Sequence, residues 1–153
     1  MEKYKEKEGF TLIELLIVVA IIGIVAAIAI PNLLVAIQKS KQKATIGDIK
    51  TIGNAIGAYS TDNYYAPADL SFGPTSVRIL YIRNFPTTDS WEYEWSYTRN
   101  NSDPSVYSIA SGGKDGTFAG WNQNGYYIMN SYFDFNYDII FSVGIFAYGP
   151  RIK

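Results

Sequence analysis

The sequence contains no cysteine and no histidine. Disulfides, thiolate or imidazole metal sites, a cysteine nucleophile and a Ser-His-Asp triad are therefore excluded. No Gly-x-x-x-x-Gly-Lys-Ser/Thr phosphate loop is present, so an enzyme anchored by this chain has little to work with. Charge of one sign is missing too. Thirteen Lys and Arg against fourteen Asp and Glu leave a net charge of −1, which offers no basic field for specific nucleic-acid binding. A life outside the cytoplasm would have to proceed without disulfides. The length, 153 residues, allows one domain with an appendage.

What is there falls into two compositions. The first third is aliphatic. The remainder, beyond Asn54, is aromatic and rich in Gly and Asn. From Leu15 to Ile37 run 23 residues without a charged side chain. A membrane-spanning helix needs about 17–25 such residues. A buried core helix is the first rival, but the roughly 100 residues left could hardly cover a helix apolar on every face. A cleaved signal peptide is the second. Its apolar region should stop after about 7–15 residues, whereas this run continues past Ala26 and Ala27 through Leu33, Leu34 and Ile37. Membrane insertion fits best. Lys3, Lys5 and Lys7 precede the run and Lys39, Lys41 and Lys43 follow it, so the positive-inside count is a tie.

Glu14 is the anomaly. An unpaired carboxylate in hydrocarbon costs several kcal/mol or stays protonated. Its setting is "GFTLIELLIVVAIIGIVAAIAIPNL": Gly9, Phe10, Thr11, Leu12, Glu14, then aliphatic residues to Pro31. This segment resembles the start of type IV prepilins and type II secretion pseudopilins. The resemblance implies a cytoplasmic leader, 1–9, that a prepilin peptidase cuts after Gly9. Gly9 lets a protease close on bare backbone. The same enzyme N-methylates Phe10. The subunit then waits as a single-pass inner-membrane protein, with its C-terminal domain outside the cytoplasm and membrane lipid around its helix. An inner-membrane platform protein and an assembly ATPase draw it into a helical filament with copies of itself and with minor pilins or pseudopilins. Glu14, uncompensated in the precursor, would face the amino terminus of Phe10 on a neighbour and reward one axial register. Pro31 removes a backbone donor and Gly23 loosens the helix, so Gly23 to Asn32 is its expected weak point.

Ile46, Ile49, Ile52 or Gly53, Ile56 and Tyr59 recur at helical spacing, which predicts an amphipathic continuation of the same helix. Gly47, Gly53 and Gly57 interrupt it and could let a sheet approach closely. Asp62, Asn63 and Pro67 end it. Trp91, Tyr93, Trp95 and Tyr97 alternate at period two, which predicts an aromatic strand. Asp89 with Trp91 also resembles the pseudopilin pattern at this place, except that Glu92 stands where glycine is usual. Val106 to Ala110 predicts a second strand, "GGKDG" a tight turn, and "NQNGYYIMN" a turn before a further strand. The tail "IIFSVGIFAYG" is apolar enough for a core strand or a subunit contact.

Major pseudopilins bind calcium in a C-terminal loop, and "SGGKDG" and "NYDII" resemble its two ends. Asp115, Asp134 and Asp138 are the candidate carboxylates for calcium, the one cofactor the resemblance brings in. The stretch between them, Thr117 to Tyr137, is longer than usual and aromatic rather than acidic. A hairpin turn at Asp115 with a capping or surface role for Asp138 is the alternative.

The expected architecture is α+β: a long hydrophobic N-terminal helix packed against a small C-terminal antiparallel sheet. The expected division is a leader, 1–9, a long helix, 10–61, transmembrane in its first half and amphipathic in its second, and a globular head, 62–153. The expected function is structural: a major pseudopilin of a periplasmic type II secretion pseudopilus that exports folded proteins. The alternative is an extracellular type IV pilin for adhesion, twitching motility or DNA uptake.

Overall fold

A computed structural model of the chain describes residues 9–70, 81–129 and 131–151. Met1–Glu8, nearly all of the expected leader, lie outside the described residues. Two compact units are present, Met1–Ile37 and Gln38–Lys153. Helix α1 spans Leu12–Asn63 and contains Pro31 without a break. Asn32 Nδ2 donates to the carbonyl of Ile28 beside it (3.1 Å).

In the first unit the helix is apolar on all sides, with Leu12, Ile17, Ile22, Ile28 and Leu34 all exposed. It is long and apolar enough to cross a membrane. Burial begins in the second unit, where α1 hides Gln42, Thr45, Ile49, Ile52, Gly53, Ala55 and Ile56. These recur every three to four residues, so one stripe faces the sheet. In the last turn Thr61 Oγ1 donates to Gly57 O and Asn63 Nδ2 to Tyr59 O, both at 2.9 Å. Both are side-chain bonds back to the carbonyl four residues earlier, the local bonding by which Thr and Asn compete with the backbone near a helix end. Tyr64, at φ 65°, then turns the chain away.

Five strands form one sheet: β1 (Ser96–Arg99), β2 (Tyr107–Ser111), β3 (Gly125–Tyr127), β4 (Ile139–Ser142) and β5 (Ile145–Pro150). Their order is β1-β2-β4-β5-β3. Pairs β1/β2, β2/β4 and β4/β5 are antiparallel, whereas β3 pairs parallel to β5 at the edge. The fold is α+β as expected, with the sheet mostly rather than wholly antiparallel. Ile109 of β2 lies opposite Phe141 of β4. Both join Ile49, Ile52, Ile56, Tyr107 and Ile139 in the core. Each such isoleucine contributes about 1.5–3 kcal/mol on full burial.

The apolar tail divides. Ile139, Ile140 and Phe141 are buried, while Val143 and Ile145 are exposed. The two residues between β4 and β5, Val143 (φ 43°) and Gly144 (φ 87°), both take positive φ, the geometry that tight hairpins favour. The predicted aromatic strand is shorter than its alternation suggests. Trp91 and Glu92 lie in a turn and regular pairing starts only at Ser96. The buried carboxylate of Asp89 accepts from the amides of Trp91 and Tyr93, which draws these residues out of the sheet.

The three helical glycines do different things. A Cβ at Gly53 would overlap the Phe141 ring, whereas one at Gly47 would meet nothing within 4 Å. Close approach of the sheet is thus a property of Gly53 alone among the three, since a Cβ at Gly57 would sit 3.5 Å from the Tyr107 hydroxyl, an ordinary contact. Urea unfolding of the variants checks this. Gly53→Ala is expected to lose about 1–3 kcal/mol by overpacking, and Gly47→Ala to gain up to about 1 kcal/mol from helix propensity.

Candidate functional site

At the amino-terminal end, the segment Thr11-Leu12-Ile13-Glu14 builds its own helix start. Thr11 N–H donates to Glu14 Oε2 (2.9 Å) and Thr11 Oγ1 donates to the same oxygen (2.7 Å). Glu14 N–H donates back to Thr11 Oγ1 (3.3 Å). This reciprocal pair is a capping box. The first helical bond, Leu15 N–H to Thr11 O (3.3 Å), follows from it. The expectation that Glu14 is uncompensated in the precursor is corrected here. The uncleaved chain already supplies two donors to its carboxylate. The Thr-x-x-Glu pattern is visible in the sequence and was the signal for it. Phe10, immediately before, is 84% exposed, and Gly9 is exposed with open space around it.

In the head, Asp89 organises the approach to the sheet. Its side chain is buried. Oδ1 accepts from the amides of Trp91 (2.9 Å) and Tyr93 (3.0 Å), and Oδ2 accepts from Ser111 Oγ (2.6 Å). Ser111 Oγ in turn accepts from Gly113 N–H (3.1 Å). A buried carboxylate is tolerable only when so many donors meet it. The same turn is tied to the helix. Trp91 Nε1 donates to Gln38 Oε1 (2.7 Å) and Ser90 N–H donates to Thr45 Oγ1 (3.2 Å). Between these two, Gln42 Nε2 donates to the hydroxyl of Tyr127 on β3 (3.2 Å). Buried Thr45 and Gln42, then half-buried Gln38, carry the stripe toward the N-terminus with polar side chains. Reading the stripe from apolar residues alone passes over them; their helical spacing was the available clue.

The three candidate calcium ligands serve separate local ends. Asp115, in the short 3-10 helix Gly113–Asp115, is exposed, and its Oδ1 accepts from Thr117 N–H (3.0 Å). Asp134 closes a capping box with Ser131, whose N–H donates to Oδ2 (2.6 Å) at the start of the 3-10 helix Tyr132–Asn136. Asp138 is buried just before β4. Its Oδ2 accepts from Ala119 N–H (2.9 Å) and from Gln123 Nε2. Burial pushes its carboxyl above the usual aspartate range, the Gln123 and Ala119 bonds pull it back, and nearby Asp115 adds to the rise. Among the described residues no three His, Cys, Asp or Glu side chains gather so as to hold a metal ion. Asn136 Oδ1 is buried without a hydrogen-bond partner, and Asp115, Asp134 and Asp138 each already accept from a nearby backbone N–H. As carboxylates the three are spent on separate local contacts and do not, among the described residues, make the clustered set that calcium favours.

Comparison with known proteins bears on the two readings left open. Residues 4–30 match the family model described as the prokaryotic N-terminal methylation motif. The chain is similar to the type II secretion system core protein G of Escherichia coli (strain K12), with 29% identity over 129 residues, 76% of this chain and 88% of that protein. It is 30% identical over 130 residues to the protein of the same name in Vibrio cholerae serotype O1, covering 76% of this chain and 88% of the other. For Pseudomonas aeruginosa the figures are 31% over 129 residues, 73% and 89%. No solved structure matches the chain.

One departure from the usual pattern has a structural consequence. Glu92 N–H closes a turn on Asp89 O (3.0 Å) with Glu92 at φ 73°. That conformation suits glycine and costs other residues about 1–2 kcal/mol. Glu92→Gly is expected to stabilise the head by about 0.5–1 kcal/mol, since glycine's greater unfolded entropy returns part of the relief. A denaturant midpoint that falls instead would show that the Glu92 side chain outweighs the strain.

Proposed function

The chain belongs to the type II secretion system core protein G family and is a pseudopilin subunit, a structural rather than catalytic role, and from that premise we propose how it is made and assembled. Its apolar helix and its family make it an inner-membrane-anchored protein. Its methylation motif makes it a substrate of prepilin peptidase. The peptidase cuts after Gly9 and methylates the new amino group of Phe10. The head, 62–153, lies outside the cytoplasm. A platform protein and an ATPase lift the subunit into a periplasmic pseudopilus with minor pseudopilins, and the growing filament moves folded proteins outward.

The observation that carries this reading is the capping box at Glu14. A carboxylate at the edge of an apolar helix must have donors in every state the subunit occupies. Before assembly, Thr11 provides them. Both of those bonds fall on Oε2, and a carboxylate accepts at about four sites. Cleavage creates a cationic amine at Phe10. When a neighbour's amine reaches Glu14, it adds a charge-assisted bond that the local box cannot supply. The box is thus a holding arrangement, and the neighbour's amine a stronger one that exists at a single axial register. Gly23 and Pro31 give the helix a place to yield while that register is found.

Removing the carboxylate leaves the neighbour's amine without its charged acceptor in the filament. Glu14→Leu is therefore expected to leave the cleaved monomer at its normal level and to reduce sheared filament at least about tenfold. Immunoblots of processed monomer and of filament, taken separately, check it. Normal filament yield would remove the pairing from the account.

A further inference from the structure

The two ends of the loop between Gly116 and Asp138 are held together by hydrogen bonds that meet on Asp138. Asp138 sits directly before β4, the strand that pairs with both β2 and β5. Its side chain is 3% exposed. A carboxylate so placed needs donors, and among the described residues none of those that meet it is a Lys or Arg. The donors are instead amides. Gln123 Nε2 donates to Asp138 Oδ2 and also to the carbonyl of Gly120 (3.1 Å). Both partners are acceptors, so the amide nitrogen and not its oxygen must face them. Ala119 N–H adds a third bond, to Asp138 Oδ2 at 2.9 Å.

This arrangement has the form of a cation site with the cation replaced. A carboxylate oxygen and a backbone carbonyl converge on one point, and the –NH₂ group of Gln123 fills that point. Its two hydrogens do what a bound ion would do, bridging oxygens from different parts of the loop. An ion cannot enter without expelling the amide. We infer that Gln123 takes the place of a bound cation between Asp138 and Gly120, so that the loop closes on protein donors alone and the head folds independently of calcium.

The unusual length and aromatic character of the loop agree with this. The segment contributes β3 to the sheet edge, paired with β5 from Gly125 to Tyr127. Tyr127 packs on Tyr137 (ring centroids 4.9 Å apart) and Tyr148 (5.4 Å), and Phe118 on Trp121 (4.6 Å). Lys114 Nζ lies 3.7 Å from the centroid of the Tyr132 ring. Strand pairing and ring contacts thus hold the loop along its length, work that a short acidic loop would leave to the ion.

The test is thermal unfolding of the full chain in detergent, followed by tryptophan fluorescence, with chelator and with millimolar calcium chloride. The wild-type midpoint is expected to be the same in both. Gln123→Ala is expected to lower it equally in both. Gln123→Glu, which sets a second carboxylate against Asp138, is expected to lower it in chelator and to regain stability when calcium is added. A wild-type midpoint that rises with calcium overturns the inference. So does a Gln123→Glu variant that melts with the wild type in chelator.

Discussion

A carboxylate must be met by donors wherever water is scarce, and the organisation of this chain follows from that constraint. Glu14 carries it at the edge of a helix apolar on every side. Thr11 meets it through a backbone N–H and a hydroxyl, which also starts the helix. The carboxylate thereby has donors from its own chain at the helix start. The same group is then available to a stronger donor. The assembly proposed for this subunit needs no pocket and no catalytic residue. It needs one charge in the wrong solvent and one place where a cation can reach it.

The constraint recurs in the head with different donors. Asp89 is met by the amides of Trp91 and Tyr93 and the hydroxyl of Ser111. This ends the aromatic segment as a turn and ties it to β2. Asp138 is met by Ala119 and Gln123, which closes the long loop onto β4. Neither carboxylate is paired with Lys or Arg in these contacts. N–H and O–H donors are fixed by the backbone and short side chains, so each acid specifies a local geometry rather than attracting whatever cation is near. The absence of histidine and cysteine from the sequence leaves amides and hydroxyls as the natural material for such sites.

Much of this was legible in the sequence, for physical reasons that differ by element. The apolar run and the Ile49, Ile52, Ile56 stripe announce the helix because burial and periodicity are local properties. The strand near Val106 was legible because its neighbours are turn formers. Three features were not. The alternation Trp91-Tyr93-Trp95-Tyr97 promises a longer strand, but Asp89 captures two of its amides, and alternation cannot report a hydrogen bond from elsewhere. Strand β3 joins the sheet parallel to β5, a pairing set by the path of the long loop rather than by its residues. Gln123 carries no pattern at all: its importance lies in what Asp138 lacks. Glu14 is intermediate, since Thr11 stands three residues before it and a capping box is readable there once the carboxylate is asked for a local partner.

Near-atomic imaging of the assembled filament tests the central claim most directly, because it places both members of the proposed pair in one map. The account predicts the Glu14 carboxylate within about 4 Å of the Phe10 amino nitrogen of a neighbouring subunit, the distance of an ion pair. A filament in which Glu14 keeps only its own Thr11, with every neighbouring amine directed elsewhere, would contradict it.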